Sequence, residues 1–563
     1  MRWSSRLLRI LKNRCLSVEL QVFSPVRRQG RGGIFFMARI RRLLGWLVFF
    51  VMTSREVPAA PPSSALSGQD FVALVPRGSL VMVGGGGVPR AARDYFVAEG
   101  KKGTGKLVVI PSASVSGPGK PRQEAALEWA GDFPEASVLD CATRQDALKP
   151  EAAQVLEDAQ AVWIGGGQQS RLAELYQGTP VEKALRAVLK RGGVVGGTSA
   201  GAAILCKIMI ASQEKKPDEP VMGVGWDLLP RVIMDQHFMA RKHEARLRNA
   251  VRTNPGLLGL AIDEGTALVV NQRLLAVTGT GEVRAVWSHN GKEVRDLQLK
   301  AGDAGKDDLV RLWRMAINQP PSPSGKPALE NGSIVAVGGG GMVPEVVEKF
   351  MELAGGKEAL IVVLPTAGEP GDSDREARQA GSFFKRAGAK NVRSLPGVKR
   401  AEVDSPEYVK VLGEAKGVWF GGGRQWRFVD AYEGTKALEA MRGVLARGGV
   451  IGGSSAGATI VGDYLCRGGP LGNREILVPG YDRGLAFLPG VGIDQHFAQR
   501  QRFADMELFI REQPAFLGVG IDEATALVVH RGGALVLGPG QVHLYRQGKP
   551  KRAFTQGEAF QLD

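Results

Sequence analysis

Histidine and cysteine are scarce in this chain of 563 residues: there are six of the first and four of the second, and aromatic residues make up only 7%. Four cysteines, Cys15, Cys141, Cys206 and Cys466, are too few for a disulfide framework. None stands in a C-x-x-C pair that would hold a metal. Low-complexity tracts are absent, so the composition is that of an ordinary globular protein. A basic stripe interleaved with aromatics is also missing. The net charge of +16 is concentrated in residues 1–56, which carry twelve Arg/Lys against two Glu. The rest of the chain is nearly balanced, which argues against nucleic-acid binding.

The N-terminal charge has its own explanation. From Met37 the chain reads three arginines, then ten uncharged residues from Leu43 to Met52, then the small residues Ala59 and Ala60. A basic, then apolar, then small-residue layout is that of a secretory signal. Ten residues are too few to cross a bilayer as a helix. Residues 1–68 are therefore expected to be a leader, with the protein secreted or periplasmic and without a stable membrane span. The alternative is an uncleaved N-terminal anchor.

Glycine is the residue in excess, with 76 copies, many in short tracts after apolar runs. These tracts expose an internal duplication. "SLVMVGGGGVP" from Ser79 recurs as "SIVAVGGGGMVP" from Ser333, and "AVWIGGGQQSRL" from Ala161 as "GVWFGGGRQWRF" from Gly417. "GGVVGGTSAGAAI" recurs as "GGVIGGSSAGATI", "MDQHF" as "IDQHF", and "LGLAIDEGTALVV" as "LGVGIDEATALVV", all in the same order. A period of about 256 residues is far beyond any solenoid repeat. The expectation is two tandem domains, 69–317 and 329–563, joined by a Pro/Ser-rich linker at 318–328. In each, β-branched runs ending in glycine alternate with helical patterns such as Gln123–Ala130 and Val181–Leu189. This predicts an α/β fold with a doubly wound parallel sheet, whose ligands bind at the carboxyl ends of strands.

Ser199 and Ser455 each sit in G-x-S-x-G after an apolar run, the pattern that mounts a nucleophile on a sharp strand-to-helix turn. The next N–H, of Ala200 or Ala456, would face a developing oxyanion, joined by a glycine N–H from the GGG tract, Gly166 or Gly422. A helix-capping serine is the plain alternative. A nucleophilic serine needs a base. Two histidines alone have matched contexts: His237, 38 residues past its serine, and His496, 41 past its own. Glu264 and Glu523 each follow their histidine by 27 residues and compete with the adjacent Asp263 and Asp522 to orient the imidazole. Asp235 and Asp494 are further rivals, although an acid two residues along a strand points parallel to the histidine.

The set GGxQ, GTSAG, DQHFxxRxxxxR and IDExTA resembles the cyanophycinases, of a serine-peptidase family that also contains aspartyl dipeptidase. The resemblance covers both halves. It implies a flavodoxin-like, class I glutamine-amidotransferase-like fold in each. It also implies Ser199 and Ser455 as nucleophiles, His237 and His496 as bases, and Glu264 and Glu523, rather than the aspartates, as orienting acids. Cyanophycinases release β-aspartyl-arginine dipeptides from cyanophycin, a poly-aspartate with arginine on each side-chain carboxyl. Such a substrate offers carboxylates and guanidinium groups, which call for arginines on one side and acids or amides on the other. By resemblance Gln169, Asp235, Gln236, Arg241 and Arg246 line the first pocket, and Gln425, Asp494, Gln495, Arg500 and Arg502 the second. The alternative for the glutamines and aspartates is loop stabilisation at strand ends. No cofactor or metal is implied.

The copies depart from the pattern after DQHF, where three arginines are expected. The first has His243 in the middle position, and the second has Asp505 in the last. An anion there is expected to weaken a carboxylate clamp. The second copy also carries Arg424 where the first has Gln168, which puts a cation beside its pocket. The expected function is an exported serine hydrolase of cyanophycin or another aspartyl peptide, with dimer-like pairing of its two domains as a further expectation. The rivals are an aspartyl dipeptidase-like enzyme and a secreted binding module with one or both domains inactive.

Overall fold

The computed structural model describes residues 70–115, 122, 124–213, 219–302, 306–369 and 381–562. The leader expected at 1–68, with Cys15, lies outside these residues. Among the described residues no helix is long and apolar enough to cross a membrane.

In the first half, β1 (Ser79–Val83), β2 (Leu107–Ile110), β3 (Ser137–Val138), β4 (Ala161–Ile164) and β5 (Val194–Thr198) form a parallel core. Each of β1, β2 and β4 is buried along its whole length. That is why they read as unbroken apolar runs instead of alternating ones. Side chains of β1 still alternate between two layers. Val81 and Val83 pack with Phe96 of the helix Arg90–Gly100, while Leu80 and Met82 join Leu185 and Val188 of the helix Pro180–Lys190. The sheet is thus covered on both faces, as the α/β expectation required.

Beyond this core the sheet continues through three antiparallel strands, β10 (Thr266–Asn271), β11 (Leu274–Gly279) and β14 (Asp307–Asp308), in the order β14-β11-β10-β1-β5-β4-β2-β3. A second sheet holds β6 (Cys206–Gln213), β7 (Pro220–Val224), β8 (Leu229–Gln236), β9 (Leu258–Ile262), β12 (Glu282–Trp287) and β13 (Arg295–Lys300), in the order β13-β12-β9-β8-β6-β7.

The second half repeats both sheets. Its larger sheet runs β17-β16-β18-β19-β15-β23-β24-β27, where β15 is Ser333–Val337, β16 Ile361–Leu364, β17 Val392–Ser394, β18 Gly417–Phe420 and β19 Val450–Ser454. The strands β23 (Ala526–His530), β24 (Gly533–Leu537) and β27 (Ala559–Gln561) form the antiparallel extension. The smaller sheet runs β20-β21-β22-β25-β26, comprising Gly462–Tyr464, Leu488–Gln495, Leu517–Ile521, Val542–Tyr545 and Arg552–Phe554. Nothing in it corresponds to β7. Here the chain runs on as an irregular loop after Arg467.

One expected helix takes another form. Within Gln123–Ala130, residues Glu124–Trp129 make a 3-10 helix. Its tighter turn lets Trp129 bury against Phe96 and Trp163, each about 5.0 Å away between ring centres. Arg93 clamps the segment from the side by donating to the Glu128 carbonyl at 2.7 Å.

Residues 318–328 hold no helix or strand, but they are fastened to the second half. The Ser324 N–H and hydroxyl both donate to Asp463, at 2.7 and 2.8 Å. The helix Leu309–Ile317, buried at every residue but Arg311, lies against the second half. Arg314 donates to both oxygens of Glu433 (2.7 and 3.0 Å) and to the Gly480 carbonyl. Arg273 bridges Asp308, Asp430 and the Tyr481 hydroxyl and stacks 4.3 Å over Trp426. One hydrophobic cluster runs through both halves around these contacts.

Candidate active site

Strand β5 ends at Thr198, and the next residue, Ser199, has φ 52° and ψ −113°; Ser455, after β19, has φ 56° and ψ −114°. Positive φ on a serine costs roughly 1–3 kcal/mol and persists only where surroundings impose it. Here the imposing contact is glycine against the neighbouring strand. A Cβ on Gly201 would lie 2.2 Å from the Ile164 carbonyl, and one on Gly457 2.1 Å from that of Phe420. The second glycine of G-x-S-x-G therefore lets the helix start press onto the neighbouring strand and turns the serine outward.

The histidine arrives from the other sheet. His237 follows β8 and its Nε2 lies 2.8 Å from Ser199 Oγ; its Nδ1 lies 2.5 Å from an oxygen of Glu264, just past β9. In the second half the distances are 2.9 Å from Ser455 to His496 and 2.5 Å from His496 to Glu523. Glu264 and Glu523 can only accept from Nδ1–H, so Nε2 is left as the acceptor facing the serine hydroxyl. The competition between adjacent acids is decided the same way twice. Asp263 accepts the N–H groups of Met239 and Ala240 at 3.1 and 3.2 Å, and Asp522 those of Ala498 and Gln541 at 3.0 Å each. These aspartates hold the turn after the histidine while the glutamates meet its ring.

The first glycine tract, matched between the halves but given no role from sequence, is the platform for all three groups. Three successive carbonyls, Val83, Gly84 and Gly85, accept the N–H groups of Ser199 (2.9 Å), His237 (2.9 Å) and Gly265 (2.8 Å). Val337, Gly338 and Gly339 do the same for Ser455, His496 and Ala524. A Cβ on Gly85 would fall 2.1 Å from the His237 ring, and one on Gly339 2.2 Å from that of His496. The fourfold repetition of glycine was the available signal.

Gly166 and Gly422 stand beside the serines. A Cβ on either would be 3.5 or 3.6 Å from the serine Cβ. Among the described residues the N–H groups of Gly166, Ala200, Gly422 and Ala456 donate to no backbone carbonyl. They are the donors expected for an oxyanion.

Several expected pocket residues are occupied elsewhere. Gln169 donates to the Ile210 carbonyl at 2.7 Å and Gln425 to that of Cys466 at 3.3 Å, both buried. They tie the GGG tract to the next segment, which is the loop-stabilising alternative. Asp235 and Asp494 have no exposure at all. The Arg246 guanidinium binds both oxygens of Asp235, and His243 Nδ1–H donates to Asp235 and to the Gln236 carbonyl, at 3.1 and 3.0 Å. Asp235 and Arg246 thus neutralise each other beneath the site, and a clamp of substrate by Arg246 is corrected to a clamp of this internal carboxylate. In the second half Arg502 takes the place of His243 and makes the same two bonds, to Asp494 and to the Gln495 carbonyl, each 2.7 Å. Arg502 is accordingly also an internal partner. Gln236 and Gln495 are buried, and the side-chain oxygen of each lacks a partner among the described residues. Arg241 and Arg500 stay exposed, four residues past their histidines.

The anion expected to weaken the second clamp meets a cation the sequence reading missed. Arg467, from the loop after β20, binds Asp494 through two nitrogens at 2.8–3.0 Å and Asp505 at 2.6 Å. Its counterpart by position from the nucleophile is Ala211. The cation lost at Asp505 is thus replaced from another element, with Asp505 as its extra counter-ion.

Burial pushes the His496 imidazole below its ordinary value. Arg500 and Arg502 act the same way, and the bond to Glu523 opposes them. A neutral imidazole is the form that can accept a serine proton.

The profile of peptidase family S51 matches this chain twice, over residues 80–277 and 334–537. A cyanophycinase of Geminocystis herdmanii is 31% identical over 207 residues, covering 35% of this chain and 73% of the relative. A cyanophycinase of Synechococcus elongatus is 33% identical over 203 residues, covering 35% of this chain and 62% of the relative. Peptidase E of a Nostoc species is 25% identical over 133 residues, 22% of this chain and 55% of that protein. Among solved structures, a peptidase from an acI-B1 actinobacterium aligns over 41% of this chain and 97% of its own, with 24% identity and a TM-score of 0.36. With the family profile matched in both halves, the chain belongs to peptidase family S51 and is a serine peptidase of the cyanophycinase and peptidase E kind.

Proposed function

We propose that both halves hydrolyse an aspartyl peptide through a Ser-His-Glu triad, with cyanophycin as the substrate and β-aspartyl-arginine as the product. The observation that carries this reading is the unbroken chain of hydrogen bonds from serine through histidine to glutamate, present in each half. Its likeness to two cyanophycinases supports the choice of substrate.

Ser199 Oγ attacks the carbonyl carbon of the scissile amide while His237 Nε2 takes the hydroxyl proton. Glu264 holds the ring in the tautomer that can accept it and stabilises the imidazolium that results. The carbonyl oxygen becomes an oxyanion between the N–H groups of Ala200 and Gly166, at the start of a helix. Collapse expels the amine with the proton from His237. Water, activated by the same imidazole, then cleaves the acyl-enzyme. Ser455, His496, Glu523, Ala456 and Gly422 take these roles in the second half. Arg241 and Arg500 are the exposed cations placed to meet a substrate carboxylate. The segment beginning at Met37 exports the protein to the periplasm or the medium.

The test is release of β-aspartyl-arginine from insoluble cyanophycin by the parent, by Ser199→Ala, by Ser455→Ala and by the double variant. Loss of a nucleophile costs roughly 10³-fold or more, so the double variant is expected to be essentially inactive and each single variant to retain the other half's share. A double variant as fast as the parent refutes the mechanism. Turnover of α-aspartyl dipeptides in place of cyanophycin moves the substrate to the aspartyl dipeptidase alternative.

A further inference from the structure

A cavity with a charged lining lies between the two halves, and no residue of either triad lines it. It holds about 790 Å³, within the range of a ligand site. One wall comes from the first half, with Lys306 and Arg311. The other comes from the second half, with Arg424 and the loop that carries Arg474 and Glu475. Arg311 is bound to Asp307, also in the lining. Arg424 and Arg474 are further cations of the lining, against the acid Glu475.

Two features make this a built site. Arg467, whose guanidinium is anchored on buried Asp494, donates to the carbonyls of Asn473 (3.3 Å) and Arg474 (2.6 Å) and so fixes the loop that forms one lip. Across from it, Arg311 donates to the Pro479 carbonyl and Arg314 to that of Gly480, which locks the first-half helix to the same loop. One residue of the lining, Arg424, stands close in the chain to the second serine. Arg424 is two residues past Gly422, so their Cα atoms are within ~7 Å, and Gly422 abuts Ser455. The first site carries Gln168 in place of Arg424 and Ala211 in place of Arg467, with strand β7 where this loop would be.

We propose that this cavity is an extended carboxylate-binding subsite of the second serine, built jointly by the two halves. It holds the part of an acidic polypeptide chain that continues beyond the scissile residue. The inference rests on Ser455 acting on a peptide substrate. It adds that the second site grips a long carboxylate-rich chain through a cation, Arg424, that the first site lacks. Arg424 and Arg474 supply planar donors for carboxylates spaced along the chain.

The probe is fluorescein-labelled deca-aspartate, followed by anisotropy on the full chain carrying Ser199→Ala and Ser455→Ala, so that binding is read without turnover. Adding Arg424→Glu and Arg474→Glu together is expected to weaken binding at least ~tenfold and to flatten its salt dependence. Arg474→Glu alone, at an exposed position that the fold does not need, is expected to give a smaller loss. So is Arg424→Gln, which installs the first half's residue type. Equal binding by parent and charge-reversed chain, or no binding by the parent, overturns the subsite. A chain that binds the probe through these arginines yet leaves cyanophycin intact keeps the subsite and overturns the substrate, so the two readings fail separately.

Discussion

The two halves build the same Ser-His-Glu geometry on differently supported foundations. Serine, histidine and glutamate stand at nearly identical distances in each, hung from three successive carbonyls of the same glycine tract. Beneath them lies an aspartate with no exposure, and each half holds it in its own way: Asp235 by hydrogen bonds from His243 and Arg246, Asp494 by those from Arg502 and Arg467. The nearer partner is a histidine in one and an arginine in the other, at the same chain position and with the same two acceptors. The farther partner comes from a helix in one and from a loop in the other. A buried carboxylate demands compensation because an unpaired charge there costs several kcal/mol, but the demand is for a cation at a place in space, whichever element supplies it. Asp505, standing where the first half has Arg246, leaves Asp494 compensated because Arg467 reaches the same carboxylate.

The shared platform gives the largest expected effect. With the other half's serine removed, Gly85→Ala or Gly339→Ala should cut the remaining activity ~100-fold or more, because the new methyl group occupies the place of the histidine ring and displaces it. The assay is β-aspartyl-arginine release, with circular dichroism to verify folding. A mild effect in one half alone would break the equivalence of the platforms.

The next test addresses the unlike foundations. Arg467→Ala should cost about 3 kcal/mol of unfolding free energy, read by urea denaturation, and should lower turnover by Ser455. Adding Asp505→Arg to that variant should recover most of the loss, since it recreates the first half's arrangement at Arg246. No recovery would mean that Arg467 matters for the loop alone and not for the charge of Asp494.

The smallest effect is in pH dependence. Because burial and the arginines lower His496, it stays neutral to more acidic pH than an ordinary histidine. Falling pH protonates the base and stops catalysis, so a lowered value moves that loss downward. In a Ser199→Ala chain the acid limb of kcat/KM should lie below the ordinary histidine range, and Arg500→Gln should shift it upward. An unmoved limb in the Arg500 variant would remove that arginine from the electrostatics of the site.

Most of the site was legible in the sequence, for reasons that differ by residue. Ser199 and His237 stand out in the sequence because one sits in a glycine-flanked turn and the other is among six histidines, both repeated at nearly constant spacing. Glu264 over Asp263 came from family likeness, since adjacent carboxylates are alike in composition and differ only in where the turn after β9 sends them. Arg246 and Arg502 were recognised as significant cations but assigned to the wrong carboxylate. The pattern marks the charge and cannot say that Asp235 or Asp494 is the partner. Arg467 was invisible, because its link to Asp494 spans 27 residues and has no counterpart in the first half.

The amino-acid sequence by itself determined the duplication, the doubly wound core and which serine and histidine stand in matched contexts in both copies. All of these follow from local rules: buried parallel strands are apolar throughout, strained turns need glycine, and a serine needs a nearby imidazole. Only the tertiary structure decided that a second sheet delivers the histidine and glutamate to the serine, which cation serves each buried aspartate, and that a charged cavity opens between the halves. Those depend on which surfaces meet in space, and charge compensation acts through distance alone, without regard to the order of residues along the chain.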